Sequence, residues 1–324
     1  MKSIHWLVPY QINHNQDISN KNLASIRLRA GLFNHQIFNN FNISFDENIS
    51  DINEIDFLFV GKFAGNRVDL LDPWIEIINL FRNNGKKIIF DYTDHHLSND
   101  SLAGKFYRAS LKPTDQIITS SEKLKNHLIV NYKNITIIED PIEIEIQRVK
   151  KNKGSSFLFF GHHTNLKYLF KLINNWNPKI QSNLIIQTSE QGMNEIKIQS
   201  QNISKPPNLN IQFQLWSIDN MLKASKSVSG VIIPGDINDE RKNGVSHNRL
   251  ITAFALGLPV AATRYESYLE FDHQFVDIDD KSEFTCFIKN PSIYSSRVEM
   301  AQKKVKLYSS ENIAKKWLNL IQEF

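Results

Sequence analysis

Four consecutive polar side chains, Ser246–Arg249, form the group in this sequence best suited to bind an anion. They stand at the start of a predicted helix, Asn248–Leu256, which an apolar run supports and which Gly257 is placed to end. Backbone N–H groups at a helix start favour phosphate oxygens, and an arginine fork can bind a diphosphate. The pattern therefore predicts a phosphate site made of Ser246, His247, Asn248 and Arg249. A second interpretation stays open, in which Ser246 only caps the helix and Arg249 is a surface residue.

A second polar group follows the predicted strand Lys87–Phe90 and contains Asp91, Asp94, His95 and His96. A reacting hydroxyl group needs a base or an orienting group, and Asp and His side chains suit both roles. We therefore predict Asp91, Asp94 and His95 as catalytic residues. A hydrogen-bonded turn explains the same residues equally well.

Three cations are placed where they could hold an anionic substrate. Arg27 and Arg29 belong to the segment Asn22–Arg29, which opens the first predicted helix, and Lys62 follows the strand Phe57–Val60. We predict that these three side chains bind that substrate, which is the acceptor if the protein transfers a group. One of the two arginines is expected to be only a surface residue.

Several common catalytic and cofactor motifs are absent from the sequence. It contains no G-x-G-x-x-G after the first strand, no Walker A loop, no G-x-S-x-G and no H-E-x-x-H. The pairs His95-His96 and His162-His163 lack the spacing of two ligands on one helix face. Asp277 and Asp279 form a D-x-D pattern of the kind that can hold a divalent metal, but a strand end followed by a turn is the favoured interpretation.

Short apolar runs rich in β-branched residues alternate with helical patterns along the chain, which predicts an α/β protein with parallel sheets. The predicted strands are Ile4–Pro9, Phe57–Val60, Lys87–Phe90, Gln116–Thr119, Thr136–Ile138, Phe157–Phe160, Leu184–Gln187, Leu209–Phe213, Val231–Ile233 and Pro259–Ala262. The predicted helices are Leu23–Phe38, Pro73–Asn83, Leu102–Leu111, Ser121–Asn131, Asn165–Asn175, Ile218–Ser225, Asn248–Leu256 and Ile313–Phe324.

The polar stretch Lys150–Ser156 divides this pattern into two α/β halves and is predicted to be a linker. We expect two facing Rossmann-like domains, residues 1–145 and 155–305, followed by a helical region, residues 306–324. Ligands of parallel sheets bind outside the carboxyl ends of the strands. The expected site is therefore the cleft between the two domains.

The charge and composition exclude several classes of protein. The 324 residues carry 38 Lys and Arg against 34 Asp and Glu, an excess too small for a dedicated nucleic-acid binder. Residues 1–150 have a net charge of −1 and residues 151–324 a net charge of +5.

The single cysteine, Cys286, excludes an intramolecular disulfide and a CxxC zinc site. No apolar run approaches the roughly 20 residues of a membrane span. We expect a cytoplasmic protein, and leave open both contact with the inner face of a membrane and the oligomeric state.

The segment after the predicted phosphate site resembles the nucleotide-sugar-binding segment of GT-B-fold glycosyltransferases of the family 4-like group. In that group a loop and helix are followed by A-x-x-x-G-x-P-V, matched here by Ala253, Gly257, Pro259 and Val260. Three further segments agree in order with the same family: Asp115–Leu124, Ile138–Ile142 and Phe157–Gly161 with the residues that follow it. The resemblance covers about residues 90–270.

This resemblance implies a GT-B fold in which the C-terminal helix returns to the first domain. It implies a sugar transferase whose donor is a nucleotide-diphosphate sugar and whose acceptor is a glycan, a lipid-linked molecule or another acceptor. From the charge and the residues themselves we expect no nucleic-acid partner, no cofactor and no metal. Gly161, His162 and Lys167 stand where the family binds the donor diphosphate. With Ser246–Arg249 they complete the predicted donor site.

Two departures from the family pattern bear on activity. The family usually carries two Glu that grip the donor sugar and ribose, and Gly244 and Thr252 occupy those positions here. The Arg expected after Gly161 is His162, a weaker and pH-dependent cation. An alternative function is therefore a catalytically weakened binding or scaffold subunit of a glycan-assembly complex. A sugar-nucleotide epimerase is disfavoured, because no second acid/base set is recognisable.

Overall fold

The computed structural model describes residues 1–21, 23–176, 178–199 and 206–324, which form two compact units. The first unit consists of Met1–Pro141, Glu240–Ser246 and Tyr308–Phe324, and the second of Ile142–Asp239 and His247–Leu307. The short segment Glu240–Ser246 therefore packs with the first unit, although it lies in the half of the sequence that was assigned to the second domain.

A six-stranded parallel sheet forms the centre of the first unit, in the order β2-β1-β3-β4-β5-β6. Its strands are β1 (Lys2–Leu7), β2 (Phe41–Asp46), β3 (Phe57–Val60), β4 (Lys87–Tyr92), β5 (Gln116–Thr119) and β6 (Asn134–Ile137). The strand order reverses between β1 and β3. A reversal of this kind opens a crevice at the carboxyl ends of the strands, where ligands of such sheets bind.

The second unit contains another six-stranded parallel sheet, in the order β12-β11-β10-β7-β8-β9. Its strands are β7 (Ser156–Phe160), β8 (Ser182–Thr188), β9 (Leu209–Leu215), β10 (Gly230–Ile233), β11 (Val260–Ala262) and β12 (Val276–Asp277). Here the order reverses between β7 and β10, which places the crevice beside Gly161 and the loop after Ile233. The two parallel sheets confirm the predicted α/β class.

Twelve α-helices cover these sheets within the described residues, together with short 3-10 helices. They are α1 (Ala24–Arg27), α2 (Leu71–Asn83), α3 (Leu102–Ser110), α4 (Glu122–Asn126), α5 (Leu166–Asn175), α6 (Glu190–Gln199), α7 (Ile218–Ser225), α8 (Glu240–Asn243), α9 (Asn248–Ala255), α10 (Lys281–Lys289), α11 (Ser295–Val305) and α12 (Ser310–Gln322). Gly257 has φ of 74° after α9, as its predicted position after a helix requires.

The prediction of one long helix over Leu23–Phe38 is wrong. Helix α1 ends at Arg27 and is followed by 3-10 helices at Ala30–Asn34 and Gln36–Phe38, while Asn22 lies outside the described residues. The reason is burial: every residue from 28 to 33 is buried, whereas a surface helix exposes one face. Helix α4 likewise stops at Asn126, five residues before its predicted end.

Helix α12 packs on the core of the first unit, as the resemblance implied. Trp317 is fully buried, and its ring centroid lies 5.8 Å from that of Trp6, 5.6 Å from Phe33 and 5.9 Å from Phe59. Edge-to-face contacts of this kind stabilise aromatic clusters beyond their buried area. In the described parts of the chain, no helix combines the length and hydropathy that a membrane crossing requires.

Candidate functional site

Gly161 and Arg249 meet at the crevice of the second sheet. Gly161 directly follows β7, and its backbone N–H donates to the carbonyl of Gln187 over 3.1 Å. A Cβ atom at Gly161 would lie 3.5 Å from Nη1 of Arg249 and 3.5 Å from Nδ2 of Asn165. The arginine predicted at the start of α9 is therefore held beside the bare backbone that ends β7.

The guanidinium of Arg249 keeps a hydrogen-bond donor unused at this position. Its Nη1 atom is buried and has no hydrogen-bond partner among the described residues. The neighbouring Tyr268 is fully buried, and burial raises the pKa of its hydroxyl although Arg249 opposes the shift. A fixed cation with a spare donor beside a glycine backbone suits a phosphate oxygen. This geometry favours the anion-binding interpretation of Arg249 over the surface interpretation.

His247 stands directly before α9 but points into the second unit. Only 3% of its surface is exposed, and Nε2 lies 2.6 Å from Oε1 of Glu270. Its ring also meets the edge of Phe271 at 5.5 Å. We interpret His247 as a residue that positions the start of α9. Ser246 does not cap the helix, because the residue at the N-cap position is His247, and half-buried Asn248 is the first helical residue.

His162 and Lys167 follow Gly161 along the same edge of the sheet. Nδ1 of His162 lies 3.2 Å from Oγ1 of Thr164. Nζ of Lys167 lies 3.3 Å from Oδ2 of Asp239, which also accepts a hydrogen bond from the hydroxyl of Tyr168. Lys167 is 59% exposed and therefore remains accessible to an anion.

The loop after β10 belongs to the same edge, and the sequence analysis assigned no role to its residues. The Gly235 N–H donates to Oγ1 of Thr263 over 2.8 Å, and the Asp236 N–H donates to the hydroxyl of Tyr265 over 3.0 Å. A Cβ at Gly235 would lie 1.9 Å from that hydroxyl, so the site requires glycine. The Pro-Gly-Asp sequence after a predicted strand was the available signal for a fixed loop.

In the first unit, Lys62 and Asp94 form an ion pair at the carboxyl ends of β3 and β4. Burial opposes the charge of the Asp94 carboxyl, but Lys62, Lys242 and His96 together hold its pKa well below the usual range. Asp94 is therefore a carboxylate at neutral pH and suits an orienting role. Lys242, on α8, was not among the predicted residues, because its contribution depends on the packing of Glu240–Ser246 with this unit.

Two buried histidines lie beside this ion pair. Nδ1 of His95 is 3.2 Å from the hydroxyl of Tyr92, and its ring stacks on His127 with centroids 4.3 Å apart. Burial lowers the pKa of both His95 and His96, in His96 to about 4. Both rings are therefore neutral near pH 7, and a neutral imidazole can accept a proton.

Asp91 and Arg29 are buried in the core of the first unit. Nε of Arg29 lies 2.6 Å from Oδ1 of Asp91, Nη1 lies 3.0 Å from Oδ1 of Asp140, and neither Arg29 nor Asp91 has exposed surface. This placement favours a structural role over the predicted roles in catalysis and acceptor binding. Arg27, which is half-buried, donates from Nη1 to the carbonyl of Lys21 over 2.7 Å.

The structure thus brings the predicted residues together in two groups, one in each unit. Gly161, Lys167 and Arg249 share the carboxyl edge of the second sheet, and Lys62, Asp94 and His95 share that of the first. Among the residues that the structure describes, no group of three or more His, Cys, Asp or Glu side chains is arranged to hold a metal ion. The D-x-D pattern is a turn, in which the Asp279 N–H donates to Oδ1 of Asp277 over 3.0 Å.

Comparison of the whole chain with known proteins gives matches in structure. No known family profile and no curated protein sequence matches it. An α-glucosyltransferase (AGT) solved with UDP and a 13-mer DNA has a TM-score of 0.64 at 12% identity, with 99% of each chain covered. The lipopolysaccharide outer core galactosyltransferase WaaB has a TM-score of 0.55 at 11% identity, with 100% of this chain and 99% of WaaB covered. The chain has the GT-B glycosyltransferase fold.

The GT-B neighbours also include TarM, with a TM-score of 0.57 at 13% identity. The chain spans about half of TarM, since 82% of this chain matches 54% of that protein. The GT-B fold implied by the sequence resemblance is therefore confirmed. Membership of family 4 within the GT-B enzymes stays a prediction.

Proposed function

We propose that this protein is a glycosyltransferase that moves a sugar from a nucleotide-diphosphate donor to an acceptor. The GT-B fold supports sugar transfer, and AGT, one of the neighbours, has been solved with UDP and with UDP-glucose. The observation that carries the proposal is the position of Arg249 beside Gly161, at the strand-order reversal of the second sheet. A cleft between the two domains as the place of transfer stays a prediction.

On the donor side, the leaving diphosphate needs positive charge where its oxygens develop negative charge. We assign this role to Arg249, to Lys167 and to the backbone N–H groups at the start of α9. These groups supply that charge from the protein itself, so we propose transfer without a metal ion or a cofactor. When the donor binds, the ammonium of Lys167 would leave its ion pair with Asp239 and contact the diphosphate.

On the acceptor side, we assign Asp94, His95 and Lys62 to the positioning of the acceptor hydroxyl. We propose a glycan or lipid-linked acceptor in polysaccharide biosynthesis, in a cytoplasmic enzyme. AGT has also been solved with DNA. A nucleic-acid acceptor fits this chain less well, because residues 1–150 carry a net charge of −1.

Calorimetric titration with a panel of nucleoside diphosphates and nucleotide sugars tests the donor assignment. A charge-assisted hydrogen bond contributes about 1.5–3 kcal/mol, so Arg249→Ala should weaken donor binding roughly 10- to 150-fold. The matched control is Arg264→Ala, an arginine of the same unit that pairs with Asp272 and is 49% exposed. Lys62→Ala, in the first unit, should leave donor affinity nearly unchanged. If the folded protein binds no nucleoside diphosphate, the proposal fails.

A catalytically weakened binding subunit is the second candidate. At the two positions where the family carries Glu, Thr252 is buried, and the carbonyl of Gly244 accepts a hydrogen bond from Ser121 over 2.6 Å. Neither residue offers a carboxylate to a sugar. Release of nucleoside diphosphate from the tightest-binding nucleotide sugar, with water as the acceptor, separates the candidates. A transferase releases it slowly and Arg249→Ala abolishes the release, whereas a binding subunit holds the donor intact.

A further inference from the structure

The outward side of α11 carries lysines and an exposed methionine, and the 3-10 turn that follows adds an exposed leucine. Val298, Ala301 and Val305 are fully buried and fix the inward side of the helix. The exposed residues Met300, Lys303 and Lys304 are three and four positions apart and therefore share one face. Leu307, in the following 3-10 turn, is 62% exposed and Met300 is 49% exposed.

The segment 147–151, which precedes β7, adds two cations beside this helix. Arg148 and Lys151 line a cavity of about 500 Å³ together with Glu299 and Gln302 of α11. The side-chain amide of Gln302 donates to the carbonyl of Gln147 over 2.9 Å and to that of Phe254 over 2.8 Å. The bond to Gln147 holds the segment 147–151 and α11 in a fixed relation, so the cations of both elements belong to one surface.

We define the α11 surface by its exposed cations and apolar side chains, which are Arg148, Lys151, Met300, Lys303, Lys304 and Leu307. Two exposed carboxylates lie beside these residues: Glu299 lines the same cavity, and Glu270 accepts a hydrogen bond at its backbone carbonyl from Nζ of Lys304, so the four cations outnumber the acids two to one. None of these residues belongs to the donor or acceptor groups described above. The surface therefore has no part in the proposed function, and it accounts for part of the positive charge of residues 151–324.

We propose that the α11 surface docks the second unit on a lipid bilayer that contains anionic headgroups. The cations match the negative potential of such a bilayer, and each contributes about 1 kcal/mol near the surface. Met300 and Leu307 enter the boundary between headgroups and acyl chains, as the apolar face of an interfacial helix does. A nucleic acid or another polyanion would also attract the lysines, but its phosphates would leave these two apolar side chains in water.

Co-sedimentation of the full chain with vesicles tests the proposal. The protein should bind vesicles of phosphatidylcholine mixed with phosphatidylglycerol, should bind pure phosphatidylcholine far less, and should be released by salt. Lys151→Gln with Lys303→Gln should lower the partition coefficient roughly 25-fold, because about 1 kcal/mol for each lysine is about fivefold. Met300→Ser with Leu307→Ser should lower it at least tenfold, by about 0.8 kcal/mol for each buried methylene group lost.

Two matched controls make the test specific to this surface. Lys179→Gln with Lys281→Gln removes the same charge from exposed positions elsewhere in the second unit, and it should change binding less than twofold. Ile129→Ser with Val130→Ser removes another exposed apolar pair, 52% and 85% exposed in the first unit, and should also leave binding unchanged. Circular dichroism of every variant establishes that it is folded.

Three results would overturn the proposal. One is the absence of binding to the anionic vesicles, and another is an equal loss in the lysine control, which would indicate a general effect of charge. The third is loss in the Ile129 and Val130 variant alone, which would place the contact on the first unit. Titration with duplex DNA is included, because DNA binding that is lost in the Lys151 and Lys303 variant, without vesicle binding, would identify the surface as a polyanion site.

Discussion

The guanidinium of Arg29 donates to the Asp91 carboxylate over 2.6 Å in a part of the first unit that is closed to solvent. The same guanidinium donates to the carbonyl of Ile138 over 2.8 Å and to Asp140 over 3.0 Å, and lies 5.2 Å from the ring of Trp317. Arg29 thus joins the end of β4, the residues before the linker and helix α12. These contacts favour a role for Arg29 and Asp91 in holding the first unit together, whereas their roles in acceptor binding and catalysis stay predictions.

Removing the cation of this buried group, Arg29, should destabilise the first unit. Arg29→Met leaves the buried carboxylates of Asp91 and Asp140 without the guanidinium that pairs with both, and breaking a buried pair typically costs about 3–5 kcal/mol. Urea unfolding at neutral pH measures the loss. Asp100→Asn changes a fully exposed carboxylate of the same unit and should have no measurable effect. Equal midpoints for the two variants would contradict the structural role of Arg29.

Gly161→Ala should lower the affinity for nucleoside diphosphate without lowering the stability of the fold. The added Cβ would make ordinary contacts of 3.4–3.5 Å with Phe159, Arg249 and Asn165, so the melting temperature should stay within a few degrees of the parent value. The methyl group would nevertheless occupy the backbone face that we assign to the diphosphate, and nucleoside diphosphate affinity should fall at least roughly tenfold.

Gly257→Ala is the companion variant and should show the opposite pattern. Gly257 has a φ of 74°, and a Cβ there would lie 2.3 Å from the carbonyl oxygen of Arg148. Alanine would therefore be strained and would also clash with backbone. We expect calorimetry to show a clearly lower melting temperature. The protein that remains folded should bind nucleotide with unchanged affinity. Loss of stability in Gly161→Ala, or its absence in Gly257→Ala, would refute this distinction.

The stability of the first unit should depend on pH through His5 and His96. Burial lowers the pKa of each to about 4, against about 6.5 in an unfolded chain. Because the unfolded chain takes up the protons first, the free energy of unfolding falls as the pH drops from about 6.5 to about 4. The ideal loss is on the order of 3 kcal/mol for each histidine. Burial raises the pKa of Asp91 to about 6, and this carboxyl acts in the opposite direction over the same range.

Urea unfolding at about pH 7.5 and about pH 5 tests this dependence. His5→Gln with His96→Gln should reduce the difference in unfolding free energy between the two pH values. His14→Gln with His35→Gln is the matched control, because those histidines are not buried. A difference that is the same in all three proteins would show that the two buried rings do not govern the acid sensitivity.

Trp317→Ala should destabilise the first unit through the loss of core packing. The side chain is fully buried among Trp6, Phe33 and Phe59, and truncation of a buried Trp to Ala costs about 3–5 kcal/mol. Lys315→Ala, on the exposed side of the same helix, should have no measurable effect. Tryptophan fluorescence during urea unfolding measures both variants, and equal stability would show that α12 contributes little to this core.

Much of the architecture could be predicted, because buried strands of a parallel sheet are short apolar runs that differ plainly from the helices between them. Phe57–Val60 and Gln116–Thr119 were predicted with the bounds that the structure has. β2 was missed, because it is an edge strand with one buried residue, Phe45, in the polar sequence Phe41–Asp46. The helix predicted at Leu23–Phe38 failed because apolar residues do not reveal whether they face one side or all sides.

The residues of the candidate site could be predicted only where they stand at a strand end or a helix start that the local sequence indicates. Gly161 and Arg249 stand at a strand end and a helix start, and both places can be recognised in a sequence. Tyr265 and Thr263 fix the loop at Gly235 from about 30 positions away, and no local pattern indicates that contact. The burial of Arg29 was hidden for the same reason, since both of its carboxylate partners are distant in sequence.

The discontinuity of the first unit has a consequence for synthesis on the ribosome. Residues 1–141 emerge first, but the aromatic cluster that they build stays incomplete until Trp317 has left the exit tunnel. The second unit, which is complete at residue 307, can finish folding earlier. The nascent chain therefore holds a partly exposed aromatic surface while the later domain matures, so chaperone demand should depend on how quickly residues 308–317 follow.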